Sequence, residues 1–408
     1  MQHELQKDPS IVEKLAFSGP NVEVWWDSSP LVFPNWAERV LHEAPAEERD
    51  TLAAQIKRLY DPENPTATLF RGVTTNPPLS LAAIHDDPTR WQTWINEYLK
   101  THPQADEEEV AWNLYKEVVI RGAKAFQPLF EASGYRYGHI SAQVYPRAAF
   151  DEKTMLAQAL ELSTLAPNVM IKCPGSAEGI RVIRQLTARG IPTNSTLCFV
   201  VPQFVAVAEA VLEGLAEARA NGVDLTRWRS VVTDMSARWE DAAEFKQQTQ
   251  EAGIDLTVEL KRYASVAVFK AAHRLFRQRG YPSKMLICSL RLGPKVNGEQ
   301  RVWHLEHIAG ADAVFTLPPV YIAGLLKEVN AIDLHNTIWD ETPREVMEQL
   351  EKIPYFTRAI RPDGYTTAEF NSLEPLMSTF KEFSGATEKM IDFVGTYMKA
   401  RAHEYEGA

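Results

Sequence analysis

Cysteine is scarce in this sequence: only Cys173, Cys198 and Cys288 occur among 408 residues, each within an apolar run. An odd, sparse set of thiols in apolar runs argues against a disulfide framework and favours a reducing compartment. No uninterrupted apolar stretch approaches the ~18 residues that a membrane span needs. The first ten residues, MQHELQKDPS, contain no apolar signal core. We therefore expect a cytoplasmic protein with no membrane partner.

Basic residues are also in deficit. The chain has 43 Lys and Arg against 54 Asp and Glu, a formal net charge of −11. Such a balance repels nucleic-acid backbones at long range, so we expect no nucleic-acid partner. An anionic small substrate remains compatible with this charge, because a few buried arginines can create a local positive field.

No Gly/Ser-rich or Pro-rich linker divides the chain, and its 45% hydrophobic content is ample for a large core. Short apolar, β-rich runs alternate with longer amphipathic stretches, which predicts parallel βαβ units. The eight runs predicted as strands are Asn21–Asp27, Thr68–Thr74, Tyr137–Tyr145, Asn168–Cys173, Pro192–Phe199, Arg229–Met235, Lys284–Ser289 and Asp312–Leu317.

Eight such units predict an α/β fold, a closed (β/α)8 TIM barrel with additional peripheral and C-terminal helices. An open doubly wound sheet is the alternative, but no GxGxxG follows the first strand. We expect one domain over residues 1–408, with the barrel core at about 20–330 and a C-terminal helical extension at 331–408.

The amphipathic stretches end at glycines, which accept the left-handed backbone of a helix C-terminus. Three are predicted as helices: residues 106–133 before Gly134, 177–189 before Gly190, and 203–220 before Gly222. The last of these places Val205, Ala208, Leu212 and Leu215 on one face. Residues 340–402 are predicted as extra helices packed outside the barrel, interrupted by a loop at Ile353–Tyr365 that proline and glycine punctuate.

Polar residues stand late in most predicted strands or directly after them. In barrels of this kind, chemistry takes place at the carboxyl ends of the strands. The residues concerned are Asp27, Thr74, Thr75, Asn76, Gln143, Lys172, Asn194, Thr196, Arg238, Ser289 and Arg291.

Lys172 is unusual because it continues the apolar run Val169–Ile171 on a central strand. Burial disfavours the ammonium form, and a neutral lysine amine can attack a ketone carbonyl to form an imine. Asp27, at the end of another apolar strand, could act as a general base for C–C cleavage. The alternatives are a strand-end lysine that reaches solvent or a carboxylate, and an aspartate that caps the next element.

Asn76 and Asn194 offer uncharged amides that suit the hydroxyls of a ketose fragment, although an Asn before proline is also a common turn residue. Arg238, Ser289 and Arg291 could form a phosphate clamp, since arginine binds phosphate bidentately and a hydroxyl adds a donor. Surface salt bridging is the alternative for both arginines.

Six segments, taken in order, resemble the transaldolase family. They are VWWD at 24–27, GVTTNP at 72–77, VMIKCPGSAEG at 169–179, IPTNSTLCFVVPQ at 191–203, TDMSAR at 233–238 and ICSLR at 287–291. The longer insertions and the tail around Ile353–Tyr365 look most like the longer bacterial transaldolases.

The resemblance implies a metal-independent, cofactor-free enzyme that moves a dihydroxyacetone unit between phosphorylated sugars of the pentose phosphate pathway. By this resemblance Lys172 would form the Schiff base, Asp27 would take the donor hydroxyl proton, and Thr196 would position the catalytic water. The substrate-binding residues implied are Thr75, Asn76, Asn194, Thr233, Met235, Arg238, Ser289 and Arg291. A homodimer is also what the resemblance suggests.

Two positions depart from the family pattern. Gln143 stands where transaldolases usually carry a glutamate that works the catalytic water, and the related fructose-6-phosphate aldolases resemble this chain there. Glutamine orients water but cannot exchange a proton with it. Met235 stands where transaldolases usually have Phe and those aldolases have Tyr, so an altered substrate stays open.

Three alternatives therefore remain beside a transaldolase. One is a related Schiff-base aldolase, or a transaldolase-like enzyme acting on a different sugar in a specialised pathway. Another is a barrel that binds a sugar phosphate without turnover. The third is a metal-dependent lyase using His304 and His307, for which no third ligand is evident nearby.

Overall fold

A computed structural model describes residues 8–329 and 332–406, with side chains except those of 328 and 401–406. Eight strands form its centre, and each coincides with a predicted run to within about two residues; only β4 extends beyond its run, by Pro174. The strands are β1 (Glu23–Trp26), β2 (Phe70–Val73), β3 (His139–Gln143), β4 (Val169–Pro174), β5 (Thr193–Cys198), β6 (Ser230–Asp234), β7 (Lys284–Ile287) and β8 (Ala313–Leu317).

The eight strands close into a barrel in the order β1-β8-β7-β6-β5-β4-β3-β2. Every neighbouring pair is parallel, and β1 pairs with both β2 and β8. The prediction of a (β/α)8 TIM barrel is confirmed, and the alternative of an open sheet is wrong because the first and last strands pair. Parallel strands bring all eight carboxyl ends to one rim, which we call the mouth.

Helices alternate with these strands and surround them. Those in the described residues are α1 (Ile11–Phe17), α2 (Phe33–Glu43), α3 (Arg49–Leu59), α4 (Pro77–Asp86), α5 (Pro88–Thr101), α6 (Glu107–Ala132), α7 (Glu152–Ser163), α8 (Ala177–Thr187), α9 (Val201–Ala220), α10 (Ser236–Glu240), α11 (Ala243–Glu251), α12 (Val258–Arg279), α13 (Trp303–Ile308), α14 (Pro319–Glu328), α15 (Arg344–Leu350), α16 (Pro354–Ile360) and α17 (Glu374–Glu406). A short hairpin, Lys295–Val296 with Glu299–Gln300, follows β7.

The three helices predicted from amphipathic periodicity are confirmed as α6, α8 and α9. Gly134, Gly190 and Gly222 follow them with positive φ, as expected of helix ends. On α9, however, Val205 and Leu212 are only half-buried and lie at the edge of the buried face.

The prediction of a loop over Ile353–Tyr365 is wrong, because this segment contains α16. Pro354 occupies the first turn of that helix, where its missing N–H costs no hydrogen bond. The helix buries Tyr355 and Phe356 and packs on α11 and α12. Proline here marks the start of a helix, and the hydrophobic residues after it supply the packing.

The C-terminal helix α17 was expected outside the barrel, but part of it crosses the mouth. It contacts α4 and α6 on one side, and also β5 and the turn Pro146–Ala148 after β3. At 33 residues it is roughly 50 Å long, enough to span the barrel.

Within residues 8–329 and 332–406 no helix combines the length and apolar character of a membrane span. The predicted boundary between barrel and extension, at 330/331, lies outside the described residues, as do the ends of the predicted domain.

Close packing at the end of β4 depends on one glycine. A Cβ atom added to Gly179 would lie 1.9 Å from the Pro174 carbonyl oxygen, inside any real contact distance. Only glycine therefore lets the first turn of α8 sit against β4, two residues beyond Lys172.

Candidate active site

Lys172 lies inside the barrel, late on β4, and is 4% exposed. Its Nζ donates a hydrogen bond of 3.1 Å to the Thr75 carbonyl oxygen. Burial lowers the pKa of Lys172 below its ordinary value, more than the negative charge of Asp27 raises it. A lysine held this way carries a larger fraction of neutral amine at physiological pH than an exposed one.

Asp27 follows β1 and is half-buried. The Thr74 hydroxyl donates to its Oδ1 at 2.6 Å. Burial raises the pKa of Asp27, against the opposing effects of Lys172, Thr74 and Arg238. The following turn is capped by Ser29 rather than by Asp27, so the capping alternative does not account for this carboxylate.

Gln143, Lys172 and Asn194 lie side by side on β3, β4 and β5. Gln143 pairs with Lys172 in the sheet register, and Lys172 pairs with Asn194. Paired residues of parallel strands face the same side, so the three side chains share one layer of the barrel interior.

Asn194 is held at both ends of its amide. Its Nδ2 donates to the Ser141 hydroxyl at 3.0 Å, and its Oδ1 accepts from the Thr233 hydroxyl at 2.7 Å. This chain of bonds fixes the amide orientation and gives Thr233 a definite role in holding Asn194.

Gln143 differs from Asn194 in the surroundings of its side-chain oxygen. Its backbone N–H and C=O are both bonded to the Tyr115 hydroxyl, at 2.7 and 2.8 Å. Yet Oε1 is buried and accepts no hydrogen bond from the described residues. A buried acceptor without a partner is costly, so this atom is suited to a donor from water or from a bound molecule.

Thr75 and Asn76 form the turn between β2 and α4. The Thr75 hydroxyl donates to the Ser141 carbonyl oxygen at 2.6 Å. Asn76 Oδ1 accepts from the Leu79 N–H at 2.9 Å and so caps α4. The turn-residue alternative therefore explains the Asn76 oxygen, while its side-chain nitrogen is not used in that cap.

Thr196 and Met235 meet one layer closer to the mouth. The Thr196 hydroxyl lies 3.7 Å from the Met235 sulfur, a weak donor–acceptor pair. Both residues are buried. Met235 thus presents a thioether next to the hydroxyl expected to hold water.

The predicted phosphate clamp is only partly assembled as expected. Arg238 lies on α10 and reaches close enough to Asp27 and Lys172 to influence the pKa of each. Arg291 instead turns to Asp241, at 2.6 Å. Ser289 adopts the left-handed backbone, with φ of 61°.

Arg238 is also engaged by a residue that the sequence did not indicate. Its two terminal nitrogens donate to both carboxylate oxygens of Glu382 on α17, at 2.6 and 2.9 Å. The two residues stand 144 positions apart, and no local pattern signals their contact.

A comparison with known proteins decides the family. The family model described as Transaldolase/Fructose-6-phosphate aldolase matches residues 53–361.

The chain belongs to the transaldolase/fructose-6-phosphate aldolase family.

Similar proteins agree with this assignment. The transaldolase of Thiobacillus denitrificans is 26% identical over 292 residues, covering 68% of this chain and 79% of that one. Transaldolase 1 of Streptomyces avermitilis is 32% identical over 219 residues, 51% of this chain and 54% of its own. Transaldolase 1 of Streptomyces coelicolor is 30% identical over 244 residues, 57% and 59% respectively.

Family membership identifies the chain as a transaldolase-like enzyme. The alignments with the two Streptomyces proteins span little more than half of those proteins, at 54% and 59%.

In this transaldolase-family enzyme a buried polar cluster lies behind Arg291. His304 Nε2 lies 2.7 Å from Glu240 Oε1, and Arg262 pairs with the other oxygen of that carboxylate. The Arg291 N–H points to His304 Nδ1 at 3.5 Å. Burial lowers the pKa of His304 well below its ordinary value, so the ring is neutral. Its contacts with Glu240 and with the Arg291 N–H connect the segment after β7 to α10.

His307, the other member of the histidine pair, stacks on Tyr263 with ring centroids 4.5 Å apart. It therefore does not join His304 at Glu240. Within the described residues no group of three or more His, Cys, Asp or Glu is arranged to hold a metal ion.

Cys288 also lies at the site, although it is not among the site residues predicted from the sequence. It precedes Ser289, is buried, and lies close enough to Lys172 and Arg238 for electrostatic coupling to each. Burial raises the pKa of the Cys288 thiol to about 12, so it stays protonated and uncharged beside Lys172.

Proposed function

We propose that this enzyme transfers a dihydroxyacetone unit between sugar phosphates through a Schiff base on Lys172, the reaction of a transaldolase. The observation that carries the proposal is the buried Lys172 amine, its pKa lowered, coupled to the Asp27 carboxylate inside the barrel. Membership of the transaldolase/fructose-6-phosphate aldolase family supports it.

In this mechanism the neutral Lys172 Nζ attacks the ketose carbonyl carbon. The protonated form of Asp27 supplies the one proton needed for loss of water, which leaves an iminium ion and an ionised Asp27. Asp27 then takes the proton of the hydroxyl two carbons from the iminium carbon. The C–C bond next to that hydroxyl breaks, its electron pair moves to the iminium, and an aldose phosphate leaves.

The remaining enamine on Lys172 attacks the aldehyde carbon of the acceptor, and Asp27 returns its proton to the new hydroxyl. Hydrolysis of the new iminium releases the longer ketose. Burial favours the uncharged form of Asp27, and this suits a group that accepts and then returns a proton.

Gln143 and Thr196 would handle the water that leaves and returns in the imine steps. The unpartnered Gln143 Oε1 supports this role, since it can accept a hydrogen bond from that water. Glutamine cannot exchange a proton, so in this proposal Asp27 is the group near Lys172 that can.

The uncharged polar residues would hold the hydroxyls of the three-carbon unit. Asn194 and Thr233 are already oriented by their mutual bond. Asn76 directly follows Thr75, whose carbonyl oxygen accepts a hydrogen bond from Lys172. Arg238, Ser289 and Arg291 would bind the phosphate, with Met235 shaping the space beside Thr196.

We extend the proposal to the chain as a whole. It would act as one transaldolase-like domain in the cytoplasm. The reducing conditions there are compatible with three buried cysteines that form no disulfide. A homodimer is proposed on family resemblance alone.

A second candidate reaction is simple aldol cleavage, with release of free dihydroxyacetone or a related three-carbon ketone. Gln143 favours it, because a glutamine at this place resembles the fructose-6-phosphate aldolases. Product analysis separates the two reactions: turnover that requires an aldose acceptor indicates transfer, whereas free dihydroxyacetone without acceptor indicates cleavage.

The test of the proposal is borohydride trapping with fructose 6-phosphate, followed by mass mapping of the modified peptide. We expect a dihydroxyacetone-sized adduct on Lys172 and none in Lys172→Ala. Lys270 provides the internal control, because burial lowers its pKa as well, to about 8. Its Nζ lies away from the mouth, where it donates to the carbonyl oxygens of Thr337 and Asp340.

An adduct on Lys270 as well as Lys172 would indicate non-specific amine reactivity. No adduct on the folded protein, with fructose 6-phosphate or with a panel of other ketose phosphates, would favour a barrel that binds sugar phosphates without turnover.

A further inference from the structure

The guanidinium of Arg238 is already occupied by an anion of the protein itself. Glu382 meets it with two parallel hydrogen bonds of 2.6 and 2.9 Å, the fork geometry that arginine also uses for phosphate. The same guanidinium lies over the Phe383 ring, 5.4 Å from its centroid. One short stretch of α17 therefore holds both the edge and the face of Arg238.

The position of Glu382 is fixed by the packing of its neighbours on α17. Phe383 is 1% exposed and Phe380 packs on Phe150, with ring centroids 5.2 Å apart. Together the two phenylalanines line a small cavity over the ends of β3, β4 and β5, beside Gln143 and Pro174. Glu382 is thus carried to the mouth by a buried apolar contact.

The ion pair itself remains open to solvent. The side chain of Glu382 is 52% exposed and that of Arg238 is 26% exposed. Ion pairs of this exposure are weak, so a competing anion can replace the carboxylate without unfolding the helix. Arg291 is neutralised in a similar way by Asp241. A phosphate arriving here meets two arginines and two carboxylates rather than a bare positive site.

We propose that Glu382 is a specificity-determining residue, whose carboxylate competes with the substrate phosphate for Arg238 and lowers the preference for phosphorylated over unphosphorylated sugars. This inference rests on the proposed role of Arg238 in phosphate binding. A phosphate must displace Glu382, and it then stands near a free carboxylate of like charge. A sugar that ends in a hydroxyl group does not have to displace Glu382 and is not repelled by its carboxylate.

The first measurement is inorganic phosphate binding to the full chain by calorimetry, which requires no turnover. We expect Glu382→Gln to tighten binding roughly fivefold, the value of a good exposed ion pair. Glu388→Gln is the matched control, since Glu388 is exposed on the same helix and its side chain has no ion pair or hydrogen bond within the described residues. It should bind phosphate as the wild type does.

The second measurement compares kcat/KM for fructose 6-phosphate with that for fructose. In Glu382→Gln the ratio should rise by roughly the same fivefold, with the fructose value unchanged. A ratio that stays constant overturns the proposal. A ratio that falls, with weaker phosphate binding, also overturns it and shows instead that Glu382 positions Arg238 for phosphate.

Arg238→Gln separates this inference from the function on which it rests. If this variant binds inorganic phosphate as tightly as the wild type, Arg238 is not a phosphate ligand and the premise fails. If it binds more weakly while Glu382→Gln matches the wild type, the premise stands and the competition by Glu382 is refuted.

Discussion

Glu23 provides the sharpest prediction of stability, at the end of the barrel opposite the mouth. Its carboxylate is 3% exposed at the start of β1. Arg229 donates to both of its oxygens at 2.7 and 2.8 Å, and Lys284 approaches at 3.0 Å. The Trp25 indole N–H adds a further bond at 3.1 Å. We predict that Glu23→Gln destabilises the fold because it leaves these two cations without their charge partner.

The magnitude follows from the pKa of Glu23. Burial alone would raise it, but Arg229 and Lys284 outweigh burial and lower it from 4.5 to about 2. At about 1.4 kcal/mol per pKa unit, the ionised form contributes about 3 kcal/mol to the free energy of unfolding at pH 7. Removing one partner of a buried ion pair costs a similar amount, about 3–5 kcal/mol.

The pH dependence gives an independent signature. Because the pKa of Glu23 is lowered on folding, its contribution is present above pH 4.5 and is lost as pH falls through about 2. Urea unfolding should show a gap of about 3 kcal/mol between wild type and Glu23→Gln at pH 7, and less than about half of that at pH 3.

Glu388→Gln, on the exposed face of α17, should stay within about 0.5 kcal/mol of the wild type at both pH values. The reasoning is refuted if Glu23→Gln is as stable as this control at pH 7, or if its deficit does not shrink on acidification.

Three further predictions concern the site and its support. Lys172 should react with cyanate at lower pH than solvent-exposed lysines do, because burial lowers its pKa. Mass mapping of the modified peptides across pH checks this. Modification of Lys172 only in the pH range where exposed lysines react would contradict it. Gly179→Ala should prevent stable folding, since its Cβ would lie 1.9 Å from the Pro174 carbonyl oxygen. The control Gly385→Ala, on α17, meets nothing within 4 Å and should raise the free energy of unfolding by about 1 kcal/mol. Thermal melts compare the two variants, and an unchanged melting temperature for Gly179→Ala would contradict the packing argument. Gln143→Met should lower kcat about tenfold with little change in KM, because it removes one hydrogen bond of about 1.4 kcal/mol to the catalytic water. Equal losses in kcat and in substrate affinity would assign Gln143 to binding instead.

The barrel could be read from local signals, because strands and helices of this chain obey their own periodicities. The run around Lys172 is apolar on both faces, as expected for a strand buried between barrel interior and helices. Gly134 and Gly190 mark helix ends through their backbone freedom. Pro354 is an exception. In local sequence, a proline in the first turn of a helix cannot be distinguished from a proline in a loop.

The mouth could be anticipated only in part. Asp27, Lys172 and Asn194 were expected to meet because parallel strands deliver their carboxyl ends to one rim, and the structure places them in one interior cluster. The register that sets Lys172 between Gln143 and Asn194 follows from strand pairing, which no single segment encodes.

The sequence by itself determined the strand and helix order, the family resemblance and the residues at the strand ends, since these depend on spacing and residue type along the chain. Only the tertiary structure decided what the arginines face. Glu382 reaches Arg238 across 144 positions because α17 folds back over the mouth on Phe380 and Phe383. Such a contact depends on helix docking, and the free energy of docking comes from buried surface shared by distant segments rather than from any local pattern.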